Sequence, residues 1–132
     1  MVVMPNTIIK PWGFEIKLTD DSLPYSGKIA FTKAGHRWSL QSHDQKTETI
    51  TLLSGQAKFT LGLNTSEMNP NIGYTVLPNT IHRFEAVSDC VTIEIATPEI
   101  GTTIRLEDDF NRPSETETIR NSPNRGWNKS NG

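Results

Sequence analysis

The sequence predicts an all-β fold, and three observations carry that prediction. Apolar residues recur at every second position, they come in short runs, and each run ends at residues suited to turns. Taken in order, Phe14–Thr19 stops at Asp20-Asp21, and Lys28–Thr32 stops before Ala34-Gly35. Trp38–His43 leads to Thr47–Leu53, which ends at Ser54-Gly55. Ala57–Leu63 precedes Asn69-Pro70-Asn71, and Tyr74–Leu77 closes on Pro78-Asn79. Arg83–Val87 and Val91–Thr97 complete the set. No convincing helix-period segment interrupts these strands, and seven or more of them at this spacing make a sandwich, a jelly roll or a barrel.

The bulk properties bound what such a chain can do. Its 132 residues have room for one domain with one core. A formal net charge of −2, with no basic stripe, excludes nucleic acid as an expected partner. The single cysteine, Cys90, leaves no internal disulfide and fits a reducing compartment. Placed between Ser88-Asp89 and Val91-Thr92-Ile93, it reads as the first residue of a strand, since no cation adjoins it to activate a thiol. The opening Met1-Val2-Val3-Met4-Pro5-Asn6 lacks a secretory signal, and no apolar run approaches a membrane span. A cytoplasmic protein without a membrane partner is therefore expected. From Pro113 to Gly132, Ile119 and Trp127 are the only large apolar residues, so 1–112 is expected to form the barrel domain and 113–132 a flexible, disordered polar tail. Trp127 would then be solvated or docked on a partner.

The chemistry concentrates between Gly35 and Gly55. On a strand, Arg37, Ser39, Gln41 and His43 point one way and Trp38 and Leu40 the other. On the following strand Glu48 shares a face with Ile50 and Leu52, which should carry it into the core, where a carboxylate needs a cation or hydrogen-bond donors. His82 shares a face with Phe84 and Ala86 and should also point inward. Two histidines, a carboxylate and an amide oxygen inside a barrel suit zinc or another first-row metal. The alternative is four hydrogen-bonded polar residues with no metal.

This spacing resembles the cupin superfamily. The first cupin motif is Gly, five residues, His-x-His, three or four residues, Glu, six residues, Gly; Gly35, Gln41, His43, Glu48 and Gly55 fall on it, with glutamine for the first histidine. In the second motif, aligned on His82, the glycine, proline and glycine positions are Asn71, Leu77 and Asn79, and Asn79 tolerates the left-handed conformation of a turn glycine. Within cupins the chain resembles mannose-6-phosphate isomerases, chiefly the cupin domain of the bifunctional isomerase/guanylyltransferases. Lys10-Pro11-Trp12-Gly13, Leu40-Gln41-Ser42-His43, His82-Arg83 and Arg105-Leu106-Glu107-Asp108-Asp109-Phe110-Asn111-Arg112 carry the similarity. Departures stand at Asp44, Gln45 and Thr49, where those enzymes usually have histidines, and at Ala96, where they have glutamine.

The resemblance implies a single cupin (jelly-roll) barrel, a homodimer, and a divalent metal held by Gln41, His43, Glu48 and His82. Zinc is the first expectation, with manganese, iron, cobalt and nickel as alternatives. It implies a metal-dependent isomerase interconverting an aldose phosphate and a ketose phosphate, or else a non-catalytic cupin that binds a saccharide or small acid. Glu94 and Lys46 are the catalytic candidates, Glu94 as the base that shuttles the proton. If Val91, Ile93 and Ile95 form the core face, however, Glu94 is merely solvated. Lys10, Arg37, Arg83 and Arg105 are candidates to bind a sugar phosphate, although Arg83 should oppose His82. Trp12 reads as a core plug or a sugar platform.

Overall fold

The computed structural model describes residues 1–4 and 6–127. The strands are β1 (Asn6–Lys10), β2 (Gly13–Lys17), β3 (Ser26–Thr32), β4 (Leu40–His43), β5 (Glu48–Ser54), β6 (Ala57–Leu61), β7 (Asn64–Glu67), β8 (Tyr74–Val76), β9 (His82–Ala86), β10 (Cys90–Ala96) and β11 (Thr103–Glu107). They form a sheet ordered β1-β2-β3-β10-β5-β8 and another ordered β11-β4-β9-β6-β7, paired antiparallel throughout. Two sheets facing each other as a jelly-roll barrel agree with the expected class.

Both sheets supply the core. Ile50 and Leu52 of β5, Val76 of β8, Phe59 of β6 and Phe84 of β9 are fully enclosed, and each such side chain contributes about 1.5–3 kcal/mol by leaving water. Trp38 joins them by packing at a tilt against Trp12 at 5.3 Å and Phe84 at 4.8 Å, while its indole N–H donates to Thr32 Oγ1. Trp12 is thus part of the core. Trp38 and Ser39 are both buried, and regular pairing begins only at Leu40, so strict alternation does not extend back to position 38.

Strands β1, β7 and β11 lie outside the expected set. All four residues of β7 are exposed, so no apolar alternation marks it, and β11 turns Ile104 and Leu106 outward while Thr103 is buried. Turns behave as their residues demand. Asn71 and Asn79 adopt left-handed backbone with φ of 63° and 61°. Gly55 has φ of 98°, and a Cβ there would stand 2.4 Å from the carbonyl oxygen of Asp89.

Within the expected tail, residues 113–127 carry local structure. Glu115 pairs backbone to backbone with Thr103 of β11, at 2.8 and 2.9 Å. A short helix, α1 (Glu117–Arg120), is capped by Thr116, and a 3-10 turn follows over Pro123–Gly126. Ion pairing orders this segment in place of apolar burial, which is why its composition conceals it. Residues 128–132 of the expected tail lie outside the described residues. No helix among the described residues is long and apolar enough to cross a membrane.

Candidate metal centre and its cavity

Strand geometry brings His43, Glu48 and His82 together. Along β5 the inward side chains are Glu48, Ile50 and Leu52, and along β9 they include His82, Phe84 and Ala86, as the alternation requires. His43 ends β4, whose Gln41 is the register partner of His82. Ligand atoms of the three residues all lie within 4.8 Å of one another, and all three residues are buried.

The polar atoms here lack partners. His82 Nδ1 lies 3.0 Å from the Thr80 carbonyl, which can only accept, so in the neutral ring Nε2 carries the lone pair. That Nε2 faces Glu48 Oε1 at 2.7 Å, and His43 Nε2 stands 3.5 Å from the same oxygen. Neither nitrogen nor Oε1 has a hydrogen-bond partner among the described residues. Leaving such atoms unpaired costs about 1–3 kcal/mol each. Burial pushes the His43 imidazole below its usual pKa against the pull of Glu48, keeping the ring neutral and its lone pair free. Burial works to raise the Glu48 carboxyl, but the Lys46 ammonium holds it well below the usual range. Two imidazoles and an ionised carboxylate, converging with unsatisfied atoms, fit a divalent cation. Gln41 lines the same cavity, and its Oε1 accepts from Ser39 at 2.8 Å.

Beside this set, β2, β3 and β10 bury the opposite face from the one their branched residues mark. Glu15, Lys28 and Glu94 point inward, while Ile95 is 59% exposed and Ile29 and Ile93 are half-buried. Glu94 is therefore a cavity residue and is not solvated. Burial pushes its carboxyl up to about 7, Glu48 adding to the rise against Lys28 and Lys46. Lys46 Nζ lies 3.0 Å from Glu48 Oε2 and 3.2 Å from Glu94 Oε2, linking the donor set to Glu94. Lys28 Nζ meets Glu15, Glu94 and Glu99 within 3.6 Å. Lys28 is the register partner of Glu94 and Glu15 that of Ala30, so both lie on the inward face of a sheet whose inside is polar.

The expected substrate-binding cations divide. Lys10 and Arg105 line the cavity, Lys10 pushed down to about 7 by burial despite Glu15 at 3.7 Å. Arg83 and Arg37 do not line it. Arg83 donates through Nε to the Trp38 carbonyl at 2.9 Å, and Arg37 makes a two-pronged pair with Asp109 at 2.7 and 2.8 Å. Arg83 ties β9 to the segment before β4, and Arg37 ties that segment to the turn after β11. Asp108 likewise clasps Arg112 at 2.9 and 3.0 Å, so two acids of the 105–112 segment are latches. At the mouth stand Glu99, Glu115, Arg120 and Arg125, none of which the sequence marked.

Comparison with known proteins agrees with this arrangement. The family described as mannose-6-phosphate isomerase C-terminal matches residues 2–115. Mannose-1-phosphate guanylyltransferase RfbM of Salmonella typhimurium is 31% identical over 78 residues, 59% of this chain; the chain covers only 16% of that protein's length. Among solved structures, a cupin-2 domain from Rhodospirillum rubrum superposes with a TM-score of 0.65 at 17% identity, over 74% of this chain and 67% of the other. The capsular polysaccharide assembling protein CapF of Staphylococcus aureus gives a TM-score of 0.63 at 13% identity, over 86% of this chain and 32% of its own. These structures share the cupin fold with the chain.

Proposed function

The chain belongs to the mannose-6-phosphate isomerase C-terminal family, and on that premise we propose that it is a metal-dependent sugar-phosphate isomerase of the mannose-6-phosphate isomerase type. The observation that carries the reading is one cavity lined by His43, Glu48 and the buried carboxyl of Glu94, with His82 Nε2 packed 2.7 Å from Glu48 Oε1. Gln41 would complete the donor set of His43, Glu48 and His82. A bound divalent ion, zinc in this reading, would polarise the substrate carbonyl and favour removal of the neighbouring proton. Glu94, whose Oε2 lies 3.2 Å from Lys46 Nζ, takes the proton from one carbon and returns it to the next. Lys46 orients Glu94 and offsets the charge of Glu48. Lys10 and Arg105, at the cavity wall, receive the anionic end of the substrate.

A homodimer and a cytoplasmic location belong to the same reading. The inverted alternation leaves Phe14 stacked on Phe31 at 4.6 Å, with Ile16, Ile29 and Ile93 in register beside them, on the outer sheet face. A second copy would cover that face.

One observation favours a second reading, a non-catalytic metal-binding cupin for a saccharide or small acid. The cavity has about 60 Å³, against about 300–1,000 Å³ for small-molecule sites. Assay of metal-loaded protein for interconversion of mannose 6-phosphate and fructose 6-phosphate separates the two. Turnover that chelation abolishes supports the isomerase, whereas ligand-induced thermal stabilisation without turnover supports the binding protein.

A further inference from the structure

Three arginines converge on one carboxylate at the cavity mouth. Glu115, only 2% exposed, meets Arg105 at 3.5 Å, Arg120 at 3.2 Å and the guanidinium of Arg125. Arg125 also pairs with Glu99 at 3.2 Å, yet its Nε is buried with no partner among the described residues. Three guanidiniums facing two carboxylates leave one positive charge and one unused donor. A phosphomonoester in place of Glu115 would bring a charge of about −1.5 to −2 and three acceptor oxygens, which guanidinium forks match in pairs.

We propose that Arg105, Arg120 and Arg125 form a phosphate seat that the Glu115 carboxylate fills in the free protein and vacates for the phosphate of the substrate. The ligand class rests on the isomerase reading above; the seat itself rests on the geometry. Arg120 and Arg125 come from the C-terminal segment, so this segment is part of the binding site. The same two arginines, with Glu99 and Ile100, separate the inner cavity from an outer groove of about 580 Å³ beside the β1–β2 hairpin. Arg120 holds this partition through the carbonyls of Glu99 and Gly101, at 3.3 and 2.8 Å. Withdrawal of Glu115 thus frees an anion site at the boundary where a ligand entering from the groove first meets the cavity.

The test is calorimetric titration of the full chain with inorganic phosphate at constant ionic strength. Glu115→Gln removes the resident charge and should tighten phosphate binding at least tenfold over wild type. Arg125→Ala should weaken it at least tenfold, and adding it to Glu115→Gln should cancel the gain. If Glu115→Gln fails to fold, Arg125→Ala against wild type decides: a tenfold loss upholds the seat, and an unchanged affinity overturns it. Phosphate affinities within twofold across all variants, or no binding by wild type and Glu115→Gln alike, overturn it as well. An active isomerase with that indifference to both substitutions loses the seat alone. A protein without turnover that shows both shifts keeps the seat and loses the isomerase reading.

Discussion

Lys28, Lys46, Glu48 and Glu94 share the inner wall at separations of 3.0 to 3.6 Å, so no one of them can be removed without stranding a neighbour's charge. Lys46→Met leaves Glu48 and Glu94 without their nearest common cation and should cost about 3–5 kcal/mol in urea unfolding. Glu94→Gln keeps volume and removes the base. Isomerase turnover should fall by about 10²–10⁴, with metal content unchanged by elemental mass spectrometry. Loss of the metal together with turnover would assign Glu94 to the donor set. His43, Glu48 and His82 were legible because period two, the neighbouring apolar residues and a family spacing all agree. Glu94 was legible only as an alternative, since Val91, Ile93 and Ile95 mimic a core face. Alternation gives the two faces of a strand but not which one is inside, and in β10 the inside is Cys90, Thr92, Glu94 and Ala96.

At the level of elements, tight turns and one charged segment hold the strands in place. Gly55 between β5 and β6 has left-handed backbone and touches Asp89, so Gly55→Ala should lower stability by about 1–3 kcal/mol, checked by thermal or urea unfolding. The C-terminal segment is fastened through Glu115, whose carboxyl the adjacent arginines, Arg125 foremost, hold at about 2 against 4.5, although burial acts to raise it. A pKa depressed in the fold means stability that is fully present above about 4.5 and is lost as pH falls toward about 2, on the order of 3 kcal/mol. Glu115→Gln should remove that acid-side slope. A slope unchanged in the variant would assign it to other carboxylates. Composition alone hid this segment, because Ser, Thr, Asn, Arg and Glu read as solvated until the partners of each charge are known. β7 was hidden for a related reason: it extends an edge and buries nothing.

For the molecule as a whole, the barrel is divided: an apolar end of Phe59, Phe84, Ile50 and Val76 supplies cohesion, and a charged end holds the site. The proposed dimer would bury the outer face bearing Phe14, Phe31, Ile29 and Ile93. Ile93→Lys should therefore shift a dimer to monomer by light scattering, whereas a wild-type protein that is already monomeric at micromolar concentration would refute that proposal. The proposed isomerase chemistry depends on the donor set, so metal content of untagged protein is the most direct measurement. Near-stoichiometric zinc, manganese, iron, cobalt or nickel, lost in His82→Ala while the barrel stays folded, is the predicted result. Folded wild-type protein that arrives empty and takes up none of these ions when they are supplied would contradict the account.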